Sequence, residues 1–179
     1  MQAFPGALKN PKQVLVCLPG GLRELTIVKQ FLPTIQELFK PATISLLTSP
    51  DIRVADILPR KGFNIITSTT DHAGWTGLPK KSFIESLQKI KFDTVLDLNL
   101  DQSVFTSAIL LAFPSALRIG RGNHRGIPYY NLEIKTKYLR DERNIYRSML
   151  DMLHYIKTGQ FPERRTKSGS ATPLEESCT

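Results

Sequence analysis

The chain alternates short apolar runs with longer stretches in which apolar residues recur every three or four positions. The short runs are rich in β-branched residues, as is typical of parallel strands covered on both faces. Leu117–Gly120 is predicted as a fifth strand, and Asn131–Lys137, where apolar and polar residues alternate, as an edge strand. The four predicted buried strands are Gln13–Leu18, Thr43–Leu47, Asn64–Thr67 and Thr94–Leu98.

The stretches between these runs have the periodicity of amphipathic helices. Ser82 and Glu85 have the spacing of a capping box at the start of one of them. Strands alternating with helices predict an α/β fold, a single Rossmann-like, doubly wound and mostly parallel sheet with right-handed crossovers. The predicted helices are Glu24–Phe39, Ile52–Leu58, Ser82–Ile90, Gln102–Phe113 and Asp141–Lys157.

Length and composition indicate one ordinary globular domain. The chain has 179 residues, 41% of them hydrophobic and 22% charged, which is the size of a single domain. We expect an N-terminal extension over residues 1–11 and a domain over residues 12–157. From Thr158 onward Gly, Pro, Ser, Thr and charged residues dominate, so residues 158–179 are predicted to form a flexible polar tail.

The sequence shows no targeting or spanning segment. The start lacks the basic and apolar regions of a secretory signal. The longest apolar run, Val104–Phe113, has ten residues, whereas a spanning helix needs about 20. Cys17 and Cys178 form no disulfide framework and no metal-ligand spacing, which fits a reducing compartment. We expect a cytoplasmic protein that can make peripheral contact with the inner face of the membrane.

The charge balance favours an anionic partner. With 24 basic and 16 acidic side chains, the formal net charge is +8, which favours nucleic acid, phosphorylated or carboxylated sugars, or an acidic membrane surface. The chain carries no helix-turn-helix, zinc-finger or RNA-recognition pattern, so nucleic acid is not the expected partner. No metal or cofactor is expected either, because no metal-ligand spacing and no dinucleotide or P-loop fingerprint is present.

Ligands of such sheets bind beyond the carboxyl ends of the strands. The turn after the first strand contains Gly20 and Gly21, which permit close backbone approach beside a helix N-terminus. A purely geometric role for these glycines stays open. Charged and aromatic candidates on the loops at this edge are Arg23, Glu24, Asp51, His72, Trp75, Asp101, Arg121, His124 and Arg125.

Two of these candidates have both a functional and a structural interpretation. Glu24 is a candidate general base in the cleft, although an acidic residue in a first helical turn also stabilises the helix. The basic stretch 118–126 contains Arg121, His124 and Arg125, which suit bidentate binding of carboxylate or phosphate. The same stretch is equally compatible with a solvated loop. Asp97, inside an apolar strand, has a structural or a catalytic role.

Four segments together resemble the N-terminal half of the lipopolysaccharide heptosyltransferases, glycosyltransferase family 9. The family's G-x-L-G-D turn is similar to Gly20-Gly21-Leu22-Arg23-Glu24, and its Arg-Ile-Gly strand is similar to Ala116–Gly120. An aromatic-aspartate pair leading into an apolar strand resembles Phe92–Asn99, and the closing helix resembles Glu142–Ile156. The resemblance covers about Lys12 to Lys157.

The resemblance implies half of a GT-B fold and a bacterial enzyme that transfers heptose from ADP-heptose, with inversion, onto an anionic inner-core sugar. Glu24 would be the base, while Arg121 and Arg125 would hold the acceptor. Two residues depart from the family pattern, since Arg23 replaces the second glycine of the turn and Glu24 replaces its aspartate.

No donor-binding domain follows in this sequence. We therefore expect an acceptor domain that is not catalytic alone and needs a separate donor-domain subunit or a homo-oligomer. The alternative is a non-catalytic module that binds an anionic glycan or a protein partner.

Overall fold

The computed structural model describes residues 8, 10–50, 58–59, 61–122 and 129–162. The four buried strands lie within one residue of their predicted bounds. The last strand is shorter than predicted, because only three residues of the alternating segment pair with a neighbour. The strands are β1 Gln13–Cys17, β2 Thr43–Leu47, β3 Asn64–Ile66, β4 Thr94–Asp97, β5 Leu117–Arg121 and β6 Leu132–Ile134.

The strands form one open sheet in the order β3-β2-β1-β4-β5-β6. Every pairing between them is parallel, and β6 lies at the edge, as predicted. Cys17 at the end of β1 lies opposite Leu47 of β2 on one side and Asp97 of β4 on the other. The strand order reverses between β1 and β4, and such a reversal opens a crevice at the carboxyl ends of the strands.

Helices connect these strands. They are α1 Leu22–Phe39, α2 Lys81–Gln88, α3 Val104–Ala112 and α4 Glu142–Thr158, with a short 3-10 helix at Thr70–His72. The predicted capping box is not formed, because α2 begins at Lys81 with Lys80 as its cap and Ser82 therefore lies inside the first turn. The predicted helix Ile52–Leu58 falls, apart from Leu58, outside the described residues.

The sheet has an apolar core on each face. Val14 and Val16 of β1 belong to the core that contains the buried faces of α1 and α4, whereas Leu15 and Cys17 belong to the core with α2 and α3. Successive strand residues point to opposite faces, so a strand covered on both faces must be apolar throughout. This burial explains the continuous apolar runs of the sequence and confirms the doubly wound fold.

Residues near the two predicted domain boundaries also pack against the domain. Leu8, in the predicted N-terminal extension, is fully buried in the core with α1 and α4. Helix α4 continues to Thr158, and Phe161 stacks on Tyr155 with 4.5 Å between ring centroids. Within the described residues, no helix is both long and apolar enough to cross a bilayer.

Candidate functional site

A cleft of about 820 Å³ lies at the carboxyl edge of the sheet. The loops that follow β1 and β4 form its floor, since these are the two strands between which the strand order reverses. Ser49 and Pro50 after β2, the segment around Trp75, and the first residue of α4 complete its walls. Its lining includes Gly20, Gly21, Arg23, Glu24, Ser49, Trp75, Asn99, Asp101, Gln102, Ser103 and Glu142.

The glycine turn allows the loops after β1 and β2 to approach each other. A Cβ at Gly20 would lie 3.2 Å from the Ser49 hydroxyl oxygen, closer than ordinary van der Waals contact. Gly21 caps α1 with an extended backbone, and its carbonyl accepts the first helical hydrogen bond, from Leu25 N at 2.9 Å. The absence of side chains at these positions therefore keeps this corner of the cleft open.

Glu24 lies in the first turn of α1 and lines the cleft. Partial burial raises the pKa of its carboxyl group above the ordinary value, and the nearby carboxylates of Asp101 and Glu142 raise it further. Arg23 acts in the opposite direction and lowers the same pKa. Glu24 thus binds a proton more readily than an exposed glutamate does, which is the property that a general base in a cleft requires.

Arg23 forms an ion pair across the mouth of the cleft. Its Nε lies 3.1 Å from a carboxylate oxygen of Glu142, and its own side chain is 81% exposed. The described lining therefore holds the carboxylates of Glu24, Asp101 and Glu142 but a single arginine, which is already paired. Because like charges repel strongly in a partly enclosed site, this part of the cleft is unfavourable for an anionic group.

The structure brings five of the predicted site residues together. Gly20, Gly21, Arg23, Glu24 and Asp101 all line the one cleft, although they come from two distant segments of the chain.

The predicted basic residues are not among this lining. Arg121 is 8% exposed, and its Nη2 donates a hydrogen bond to the carbonyl oxygen of Tyr138 at 3.4 Å. His124 and Arg125 lie outside the described residues.

Asp97 holds the loop that carries Asp101. This buried carboxylate accepts hydrogen bonds from the backbone and side-chain nitrogens of Asn99 at 3.0 and 2.7 Å. It also accepts one from the Tyr130 hydroxyl at 2.7 Å. Asn99 in turn donates to the Thr106 hydroxyl at 3.3 Å, which links the loop to α3. The contacts support the structural interpretation of Asp97.

Sequence reasoning missed Glu142 and Asn99 as cleft residues. Glu142 begins the last helix, more than 100 residues after Arg23, and only the docking of α4 beside α1 brings the two together. Asn99 was visible as a polar residue after an apolar strand. Its position at the end of β4, next to β1, was the available signal.

Metal and thiol chemistry find little support in this region. No cluster of three or more His, Cys, Asp or Glu side chains suited to a metal ion occurs among the residues that the structure describes. Burial raises the pKa of the Cys17 thiol, and the charge of Asp97 raises it further. Cys17 is therefore protonated and unreactive at neutral pH.

An open, six-stranded parallel sheet with a cleft at its strand-order reversal matches a Rossmann-like half of a GT-B fold. The structure is similar to that of the Escherichia coli heptosyltransferase WaaC with ADP, with a TM-score of 0.59 and 15% sequence identity over 87% of this chain. The same enzyme with ADP-2-deoxy-2-fluoro heptose gives the same TM-score, identity and coverage of this chain.

The chain spans about half the length of these similar structures, 49% and 50% respectively. No family model matches the sequence, and no curated protein matches it either. At this level of identity the similarity establishes a heptosyltransferase-like fold.

Proposed function

We propose that this chain is the acceptor-binding domain of a glycosyltransferase of the heptosyltransferase type and that it is not catalytic alone. The observation that carries the proposal is Glu24, a carboxylate of raised pKa that lines the cleft at the strand-order reversal. The similarity of the fold to WaaC supports the same class of function. In a transferase of this type, the acceptor hydroxyl must be deprotonated as it reacts, and Glu24 is placed for that role.

The proposed reaction is a single displacement with inversion. The acceptor hydroxyl oxygen attacks the anomeric carbon of the donor heptose while Glu24 takes the hydroxyl proton. The bond from that carbon to the diphosphate breaks, and ADP leaves with the bonding electrons. Because the chain spans about half the length of WaaC, we propose that another domain, on a separate subunit or a second copy, binds most of ADP-heptose and brings it into reach.

The proposed acceptor is an anionic glycan. The formal net charge of +8 supports this. Arg121 is buried against Tyr138 and is not among the cleft lining. We propose instead that acidic groups of the glycan bind outside the described lining, where Arg125 and His124 of the basic stretch are the candidates.

A non-catalytic module that binds an anionic glycan or a protein partner is the second candidate. The Arg23–Glu142 ion pair favours it, because in the resembled family a glycine stands where Arg23 does. A module of this kind would bind glycan equally well with Glu24 replaced and would never transfer a sugar.

Calorimetric titration of the purified chain tests the binding part of the proposal. We expect a deacylated lipopolysaccharide inner-core oligosaccharide to bind, and ADP-heptose to bind no more tightly than ADP. Lack of any glycan binding would contradict the proposal. Tight binding of ADP-heptose would show that the isolated chain has its own donor site and would contradict the division between two domains.

The role of Glu24 is tested in a fusion of this chain to the half of WaaC that it does not match. We expect Glu24→Gln to lower kcat for heptose transfer by about 10²–10⁴-fold, the usual contribution of a general base. Glu142→Gln, which changes another carboxylate of the same cleft, is the matched control and should retain most of the activity. Equal losses in the two variants would contradict the assignment of the base.

A further inference from the structure

Trp75 is a large aromatic side chain that contacts almost nothing. It is 99% exposed, although it lines the cleft, and it is the only tryptophan of the chain. An indole offers roughly 150–250 Å² of mostly apolar surface, which is unfavourable to leave in water. A single exposed aromatic residue on a convex surface needs no explanation, but this one stands at the wall of a cleft that has a candidate catalytic carboxylate.

The loop that presents Trp75 is held by its backbone. Gly77 N donates to Gly74 O at 2.9 Å, which closes a β-turn with Trp75 at its second position. Gly74 N donates to Leu78 O at 2.7 Å, and Ala73 and Pro79 form an antiparallel bridge. Gly77 has a φ of +79°, which a side chain would strain. None of these contacts uses the indole, so the loop holds it in place without depending on it.

The rest of the lining indicates what the indole meets. Leu22 and Val104, the first residues of α1 and α3, line the same cleft and are 58% and 54% exposed. Between them lie Glu24 and Asp101, whose carboxylates accept hydrogen bonds and repel anions. A matching ligand has an apolar face, several hydroxyl donors around its edge and no negative charge at this point. A sugar ring meets all three conditions.

We propose that Trp75 is the stacking platform for an uncharged sugar ring, whose hydroxyl groups donate to the carboxylates of Asp101 and Glu24. The inference rests on the proposed function and sharpens it, because it assigns the ring that enters the cleft and places the acidic groups of the glycan outside. A nucleotide base also stacks on indole, but its phosphates would then lie beside these carboxylates.

The single tryptophan makes the test direct, because its fluorescence reports on this one site. The full chain is titrated with a neutral methyl heptopyranoside, with the same sugar carrying one phosphate on the ring, and with ADP. We expect a shift of the emission to shorter wavelength with the neutral sugar, since stacking removes water from the indole. The phosphorylated sugar should bind about tenfold more weakly, and ADP should leave the emission unshifted.

Variants measured by calorimetry test the contact itself. We expect Trp75→Ala to weaken binding of the neutral sugar by about tenfold, which corresponds to about 1.4 kcal/mol, and Trp75→Phe to weaken it only slightly. Leu139→Ala removes another side chain that is highly exposed, at 78%, but is not part of the cleft lining. It should leave the affinity unchanged. Because no described contact uses the indole, all three variants should unfold at the temperature of the unaltered chain.

The outcomes separate this inference from the proposed function. If calorimetry detects glycan binding but the emission does not shift and Trp75→Ala binds normally, the platform is wrong and the acceptor-domain proposal stands. If neither the glycan nor the simple sugar binds, both fail. An emission shift with ADP, or tighter binding of the phosphorylated than of the neutral sugar, would overturn the assignment of an uncharged ring.

Discussion

The chain holds two carboxylates at the carboxyl ends of neighbouring strands, in very different surroundings. Asp97, at the end of β4, is 4% exposed and accepts hydrogen bonds from Asn99 and Tyr130. Glu24, just beyond β1, is half-buried in the cleft, and two other carboxylates raise its pKa. Within the described residues, no hydrogen bond is recorded to the Glu24 carboxylate, whereas Asp97 has several donors.

The difference separates a structural carboxylate from a chemical one. A buried charge that is satisfied by donors fixes the groups around it, and Asp97 accordingly fixes the loop that leads to Asp101. A carboxylate that lacks donors and faces other negative charges is costly to keep ionised. Its retention at a cleft is therefore a functional signal, although a probabilistic one in proteins generally. Three substitutions test this contrast, in decreasing order of expected effect.

Gly120→Ala should have the largest effect, because it attacks the surroundings of Asp97. A Cβ at this position would lie 2.2 Å from Cε1 and 2.4 Å from Cζ of the Tyr130 ring. The ring must therefore move, and the hydrogen bond of its hydroxyl to Asp97 must distort. We expect a loss of about 3 kcal/mol in the free energy of unfolding, at the upper end for overpacked cores, measured by urea denaturation.

Gly20→Ala is the matched control for Gly120→Ala. Its Cβ would meet only the mobile end of the Ser49 side chain, at 3.2 Å, so we expect a loss below about 1 kcal/mol. Equal losses in the two variants would mean that the contact between Gly120 and Tyr130 is unimportant.

Tyr130→Phe should have a smaller effect, since it removes one donor to Asp97 and leaves the ring in place. Burial and the neighbouring Asp97 raise the pKa of the Tyr130 hydroxyl, so it remains a donor at every pH at which the protein folds. We expect a loss of about 2 kcal/mol, as for other hydrogen bonds to charged groups. Tyr138→Phe, which leaves the Asp97 contacts intact, is the control and should cost less. A Tyr130→Phe variant as stable as the unaltered chain would contradict the anchoring role.

Glu24→Gln should have the smallest effect, and a stabilising one. Because the pKa of Glu24 is raised in the folded state, the folded chain binds more protons than the unfolded chain between the two pKa values. The stability of the unaltered protein therefore falls as pH rises through that interval. The variant lacks this penalty, so its melting temperature should exceed that of the unaltered chain at pH 7, by more than at pH 4.

Glu37→Gln, on the exposed side of the same helix, is the control for Glu24→Gln. The Glu37 side chain is 68% exposed and pairs with Lys40, so its replacement should give no gain at pH 7. If Glu24→Gln lowered the melting temperature at pH 7, Glu24 would be a stabilising helix-terminal charge and the contrast with Asp97 would be wrong.

Two segments that carry the family resemblance have structural explanations in this chain. An Asp93 carboxylate oxygen accepts a hydrogen bond from Lys12 N at 2.7 Å, at the opposite edge of the sheet from the cleft. Phe92 packs edge-on against Phe113 with 5.6 Å between ring centroids. Gly120, of the Arg-Ile-Gly strand, leaves room for Tyr130. Motifs of this kind indicate the fold more directly than they indicate the chemistry.

The sequence by itself determined the strands, their parallel arrangement and the edge at which the cleft lies. These features follow from local periodicity: continuous apolar runs require cover on both faces, and a strand-helix alternation leaves little choice of sheet. The glycine turn and Glu24 could be placed at the cleft for the same reason, since the carboxyl end of β1 was known. Asp101 followed from the end of β4.

Only the tertiary structure decided which side chains face one another. Arg121 was expected at the cleft, but its guanidinium is buried and bonded to Tyr138. Glu142 joined Arg23 because α4 packs beside α1, and Trp75 lines the cleft through a turn closed by backbone hydrogen bonds. Such meetings depend on the packing of segments far apart in the chain, and local periodicity carries no information about them.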